Sequence, residues 1–317
     1  MRVVADDLSG AVETAAVLGL RRVALRPRED AVVDLDTRWL PPEEAAERVR
    51  AFGRIDFKKI DSQLRGNVAA ELEALAGEVI VAPALPVQGR VVRGGVLHVN
   101  GLPRESPVPL VDAETDADLD AIVARAAGAT LVGSAGLAAA LGRAHGAQPL
   151  PPATKGQGPL LIAVGTRTAG AQLARLRAAG VPVTDTAEWR AAGWPASASP
   201  AGAAGASPQR AGGTSPARAG AASRAGVAAR RDVLAVRGKA MQLARVVRDA
   251  PPCDLVLTGG ATARAVLDTL GIEELELVGQ VHYGAVLCQA QGRRVLIRPG
   301  SFGGPDSLVE IVEALRG

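Results

Sequence analysis

The 317 residues are 48% hydrophobic and 22% charged, enough for two domains of ordinary size. Thirty-six Lys and Arg against 33 Asp and Glu leave a net charge of only +3, with no basic cluster interleaved with aromatics, which speaks against a nucleic-acid partner. No run approaches the ~18–20 apolar residues of a membrane span, two cysteines cannot build a disulfide framework, and three histidines without partner spacing make no metal site.

In chain order, short Val/Ile/Leu runs alternate with longer Ala/Leu/Arg/Glu stretches, the pattern of βαβ units. Residues 2–5 predict a strand that ends at Asp6 and Asp7, followed by a helix over about 10–18 with Ser9 placed to cap it. RRVAL and AVVDL predict two further strands, and Pro41-Pro42-Glu43-Glu44 opens a helix that runs to about Phe52. IDFKKID is the next strand, 67–76 a helix, EVIVAPAL a nearly continuous apolar strand and VVRGGVLHVNG a hairpin. Helices are expected over 115–127 and 134–144, around a short ATLVG strand.

PLPPATKGQGP, at 149–159, has the composition of a linker, dividing the chain into domains of about 1–150 and 151–317. Beyond it LLIAVGT predicts a strand and 168–179 a helix. Residues 195–226 are almost wholly Ala, Gly, Ser, Pro and Arg and cannot bury enough apolar surface to offset their ordering entropy, so a disordered insertion is expected there. VLAVRG, DLVLTGG and VLIRPGSFG predict strands, interleaved with helices over 239–249, 261–270 and 306–315. The expected class is therefore α/β, two domains with mainly parallel sheets and an active site in the cleft between them. The opening MRVVADDLSG reaches acid by residue 6 without an apolar leader, so a cytoplasmic location is expected.

Three polar motifs follow strands in the first half, where open α/β sheets bind ligands. Asp6-Asp7-Leu8-Ser9-Gly10 offers carboxylates that could accept hydrogen bonds from substrate hydroxyls, or take a proton; capping of the helix by Asp7 is the structural alternative. Lys58-Lys59-Ile60-Asp61-Ser62-Gln63-Leu64-Arg65 offers Lys59 and Arg65 to an anion and Asp61 and Ser62 to hydroxyls. In Pro83-Ala84-Leu85-Pro86-Val87-Gln88-Gly89-Arg90 two prolines stiffen a loop from which Gln88 and Arg90 project, and Arg38 adds another anion contact.

Taken together, ADDLSGA, KKIDSQLRGN, APALPVQGR, the GGVLHVNG hairpin and GSAGLA resemble, in order and spacing, the four-carbon acid sugar kinase family, whose usual forms are similar to ADDLTGA, KKIDSTLRGN and APAFPAQGRT. The resemblance implies an N-terminal domain binding an acid such as threonate or erythronate and a C-terminal domain binding ATP, with Mg2+ as companion ion. It implies Asp7, Asp61, Arg65, Gln88 and Arg90 around the substrate, with Asp6, Arg38, Lys59 and Ser62 beside them. The base is left open between Asp7 and Asp61. The implied partner is a small sugar acid; a homodimer is allowed.

In the second half LIAVGTRTAG, LVLTGGATA and RPGSFGG are glycine loops opening helices, the geometry whose free N–H groups suit phosphate oxygens, although none has the GK[ST] of the P-loop. They resemble the family's GG[DE]TA and KxGGFG segments. That resemblance implies nucleotide contacts at Thr166 or Thr168, Gly259, Gly260, Ala261, Thr262, Gly300 and Gly303. The departures gather here. Ala261 stands for the family's acid, Gly279 to Gly284 replaces a stretch with Glu before PG, Arg298 stands for Lys and Ser301 for Gly. Two carboxylates are thus missing where ATP or Mg2+ would be approached. Three readings stay open: an ATP-dependent sugar-acid kinase, a degenerate sugar-acid binder or regulator, and an enzyme of altered specificity at which Gln63 hints.

Overall fold

The computed structural model describes residues 1–126, 128–192, 232–300 and 302–317. The disordered insertion expected at 195–226 lies outside the described residues.

Six parallel strands carry the first half: β1 (Val3–Ala5), β2 (Arg22–Ala24), β3 (Val32–Asp34), β4 (Phe57–Lys59), β5 (Val79–Ala82) and β9 (Thr130–Gly133). Between β5 and β9 runs a separate antiparallel three-stranded sheet of β6 (Arg90–Arg93), β7 (Val96–Val99) and β8 (Leu102–Arg104), the expected hairpin with one strand added. The second half contributes β10 (Leu160–Val164), β11 (Val183–Asp185), β12 (Val233–Arg237), β13 (Asp254–Thr258), β14 (Glu274–Gln280), β15 (Val286–Ala290) and β16 (Arg293–Arg298). All thirteen strands of the two halves, other than β6 to β8, form one sheet in the order β11-β12-β10-β13-β16-β15-β14-β2-β3-β1-β4-β9-β5.

The two expected domains are therefore joined edge to edge. The junction is β14, which pairs antiparallel with β2 through Glu274–Ala24, Leu275–Val23 and Glu276–Arg22, and antiparallel with β15 on its other side. No expectation covered β14 and β15; the first carries exposed and buried residues in alternation, the mark of a strand with one wet face. By contrast β1, β10 and β13 are buried almost throughout, as strands covered by helices on both faces must be.

Helices α1 (Leu8–Val17) and α9 (Gly260–Leu270) pack on each other across the junction, along with α8 (Ala240–Asp249) against α9. The core is Ala, Val and Leu with few aromatics: Leu8, Ala11, Val12, Ala15, Leu161, Leu257, Ala263 and Val266 are among its buried residues. One buried ion pair also crosses between halves, Arg264 Nη1 to Asp34 Oδ2 at 3.0 Å. Both cysteines are free and buried. Among the described residues no helix is long and apolar enough to cross a membrane.

Candidate active site in the cleft between the halves

Two sets of three adjacent parallel strands create the site. In the first half β3, β1 and β4 lie side by side in the same direction, so the residues that follow them emerge at one edge of the sheet. They are Arg38, Asp6 with Asp7, and Asp61. In the second half β10, β13 and β16 do the same and deliver Gly165 to Thr168, Gly259 to Thr262, and Pro299 with Gly300. The two sets face each other across a cavity of about 220 Å³.

Asp7 is the N-cap of α1, as in the structural alternative: its Oδ1 accepts from Gly10 N at 2.9 Å. Ser9, expected as the cap, lies inside the helix and donates instead to Asp7 Oδ2 at 2.8 Å. Capping does not withdraw Asp7 from the cleft, which it lines. Arg38 reaches Asp7 Oδ1 at 2.9 Å and grips Asp6 through Nε at 2.8 Å and Nη2 at 2.7 Å. Burial pushes the Asp6 carboxyl up, but the charge and hydrogen bonds of Arg38, aided by Lys58 and Lys59, hold it below the ordinary range. Asp6 is almost fully buried and stands behind the cleft, so its role is to fix Arg38 rather than to meet a ligand. The fully buried Lys58–Glu71 pair at 3.0 Å, to which Thr37 also donates, anchors the same loop from below. Gly66, at φ +92°, lets the Asp61 loop close on it: a Cβ there would lie 2.8 Å from Arg38 Cγ.

Asp61 is held by Arg65 in a fork, Nε to Oδ2 and Nη2 to Oδ1 at 2.7 Å each. Against the upward push of burial, Arg65 and then Arg38 and Lys59 drive its carboxyl well below the usual range. A carboxylate so occupied is a poor base. Arg90 turns inward, donating to the Ser62 hydroxyl, and its guanidinium lies over the Phe302 ring at 5.6 Å. Lys59 Nζ donates to Ile60 O at 3.1 Å and faces Glu13 at 3.9 Å, leaving ammonium donors toward the cleft.

The opposite wall is mostly backbone and hydroxyl. The α9 N-cap is Gly259, at φ +98° and without a capping side chain, so the first N–H groups of this 11-residue helix have no side-chain acceptor at their cap. A Cβ on Gly260 would lie 2.0 Å from Asp7 Oδ2; only glycine admits that carboxylate to the start of α9. Thr166 and Thr168 pair through their hydroxyls at 2.9 Å, and Thr168 donates to Gly300 O at 3.2 Å. From behind, Gln172 Nε2 donates to the carbonyls of Phe302, Gly303 and Gly304 and its Oε1 accepts from Arg298 at 3.0 Å. Arg298, which stands for the family's Lys, is fully buried with no carboxylate beside it among the described residues; burial lowers its guanidinium to about 10. It braces the glycine loop.

Of the expected residues, Asp7, Arg38, Lys59, Asp61, Ser62, Arg65, Arg90, Thr166, Thr168, Gly259, Gly260, Ala261, Thr262 and Gly300 line the cleft together. Gln88 does not. It sits in the single turn Pro86–Gln88, and the chain reversal that turns Arg90 in turns Gln88 away. Gly303 is also absent from the lining; at φ +82°, with Ser307 2.4 Å from where its Cβ would be, it serves the turn. GSAGLA serves packing, Ser134 donating to Ala84 O at 2.7 Å. Sequence reasoning missed Glu13, Trp39, Pro299 and Phe302 in the lining. The signal for Glu13 was a carboxylate inside an otherwise apolar helix; Trp39 and Phe302 offered none beyond their rarity.

The cradle fits a nucleotide's phosphates: uncapped helix N–H groups, paired hydroxyls and a glycine loop converge on it. The fit to Mg2+ is weaker. No carboxylate of the C-terminal half lines the cleft, and among the described residues no group of three ligating side chains occurs, so the ion would rest chiefly on phosphate oxygens.

A family model described as a sugar-binding N-terminal domain matches residues 1–109, and one described as a nucleotide-binding C-terminal domain matches residues 166–308. A D-threonate kinase of Bordetella bronchiseptica is 30% identical across 99% of this chain and 97% of its own length. A D-threonate kinase of Cupriavidus necator is 42% identical, but over 38% of this chain and 35% of that protein. A D-erythronate kinase of Heliobacterium modesticaldum is 30% identical over 36% of this chain and 32% of its own. Solved structures from Salmonella typhimurium LT2 (TM-score 0.69, 17% identity, 99% of both chains) and Haemophilus influenzae (TM-score 0.60, 16% identity, 98% of both chains) share the fold. The chain belongs to the four-carbon acid sugar kinase family.

Proposed function

We propose that this chain transfers a phosphoryl group from ATP to a hydroxyl of a four-carbon sugar acid of the threonate or erythronate kind. The observation that carries the reading is the approach of Asp7 to the uncapped N-terminus of α9, one from each half of the molecule. A substrate hydroxyl held at Asp7 would face a phosphoryl group held at α9. Phosphoryl transfer needs little more than such positioning and charge neutralisation.

Within the cleft Arg90 and Lys59 suit the acid's carboxylate. Asp7 suits the reacting hydroxyl, orienting it and taking its proton, because both oxygens of Asp61 lie in the Arg65 fork, whereas Asp7 keeps Arg38 on Oδ1 and offers Oδ2, which accepts from the neutral Ser9 hydroxyl. Thr166, Thr168, the Gly259–Thr262 turn and Gly300 suit the phosphates. Mg2+, when bound with ATP, supplies neutralisation of phosphate charge.

The bare C-terminal wall favours a second reading, a chain that binds the acid without turning it over. ADP release with MgATP, measured against D-erythronate, D- and L-threonate and their oxo forms, separates the two. Turnover with one acid, abolished by Asp7→Asn, is the expected result. No ADP with any acid, and no thermal shift with MgATP while an acid still shifts the melting curve, would leave the binder.

A further inference from the structure

We propose that Glu13 is a specificity-determining residue, accepting a hydrogen bond from a hydroxyl of the bound acid. The inference rests on the sugar-acid reading above and names a contact within it.

Glu13 lies in α1, nearly two turns beyond the Asp7 cap, and its side chain lines the cleft although the residue is only 4% exposed. Its Oε1 is buried without a hydrogen-bond partner. The nearest cation, Lys59 Nζ, stands 3.9 Å from Oε2, beyond hydrogen-bond reach. Buried polar atoms are nearly always satisfied, and one that is not, in the wall of a binding cleft, marks a place for a ligand's donor. Desolvation raises the affinity of Glu13 for a proton, with Lys59 opposing.

Which donor fits follows from the charges. An acid's carboxylate would meet Glu13 with like charge and no proton to share. A hydroxyl brings one donor and two lone pairs, so it can satisfy Glu13 while still accepting from the Lys59 ammonium beside it. Glu13 therefore also rejects the reversed pose, in which the carboxylate would take the hydroxyl's place.

Tyr283 approaches the same carboxyl from the turn after β14. Burial and the neighbouring Glu13 push its phenol far up, and its hydroxyl, like Glu13 Oε1, is buried without a hydrogen-bond partner. Its ring stacks on Phe302 at 5.9 Å between centroids, and Phe302 in turn lies under Arg90.

The test is calorimetric titration of the full chain with D-threonate, D-erythronate and the deoxy counterparts lacking one hydroxyl each. Wild-type protein should bind a hydroxylated acid about 10- to 100-fold more tightly than one of its deoxy counterparts. Glu13→Ala should bring that ratio close to one. Glu13→Gln, which keeps an acceptor and the side-chain shape, should keep part of it, and supplies the reading should the alanine variant not fold. Uniformly weaker binding of every acid with the ratio unchanged would show a merely structural role and overturn the proposal. Failure of the wild type to bind any acid would overturn the sugar-acid reading first, and this inference with it.

Discussion

Across the cleft, a wall of charged side chains confronts a wall of backbone. The N-terminal side presents three carboxylates, from Asp7, Glu13 and Asp61, and four cations, from Arg38, Lys59, Arg65 and Arg90; the C-terminal side presents glycines and threonines and, among the described residues, no ionisable group. The two walls need different support. A charged side chain keeps its geometry only if partners behind it fix its rotamer, as Asp6 does for Arg38 and Ser62 for Arg90. A backbone cradle keeps its geometry through φ angles only glycine tolerates and through bracing from behind, the task of Gln172 and Arg298. Substitutions should therefore fail in different ways on the two sides.

The largest effect is expected where the charged wall loses a brace. Arg38→Ala leaves Asp6 buried without its partner, which should cost about 3–5 kcal/mol; urea denaturation measures it, and a loss below about 1 kcal/mol would mean that Asp6 is solvated in the variant. On the backbone wall the matching test is Gly260→Val. Its Cβ would fall 2.0 Å from Asp7 Oδ2, so the walls must part. Turnover should drop by about 100-fold or more while the melting temperature changes little; full activity would separate Asp7 from the approach to α9.

A smaller effect is expected at the buried pair that ties the walls together. Burial raises Asp34 from 3.8 to about 7, with Arg264 opposing and Asp36 and Asp7 adding to the rise. Between those values the folded chain holds a proton that the unfolded chain releases, so stability falls as pH rises from about 4 to about 7. Asp34→Asn removes the linkage. The stability of wild type relative to the variant should fall across that window by at most about 1.4 kcal/mol per pH unit, and a flat difference would contradict the raised carboxyl. The smallest effect belongs to Trp39, which lines the mouth yet is 68% exposed. Trp39→Ala should leave stability within about 0.5 kcal/mol, so that any loss of turnover reports on contact with a ligand.

Most of the charged wall was legible before any coordinates, because its residues follow apolar strands in compact motifs. Asp7 and Asp61 each stand two residues beyond a strand's carboxyl end, at Ala5 and Lys59, where chain direction alone puts them at the sheet's edge. Gln88 shows the limit of that logic. Two residues before Arg90 it shares the motif, but which of the two faces inward is decided by the Ser62 and Phe302 contacts, which come from distant segments. Phe302 was hidden for the same reason: it matters through the Arg90 that the other half brings over its ring. The β14–β2 junction was hidden because pairing between strands some 250 residues apart leaves no mark in local periodicity. The role of Arg298 was hidden as well, since only its burial and its bond to Gln172 show that it braces the loop.

The account turns on a hydroxyl at Asp7 meeting a phosphoryl group at α9. Mass spectrometry of the full chain incubated with MgATP and D-threonate or D-erythronate tests this most directly. The prediction is an acid carrying one added phosphoryl group, formed by wild type and lost in Asp7→Asn. Phosphorylated acid formed equally by Asp7→Asn, or ADP formed at the same rate without any acid, would contradict it.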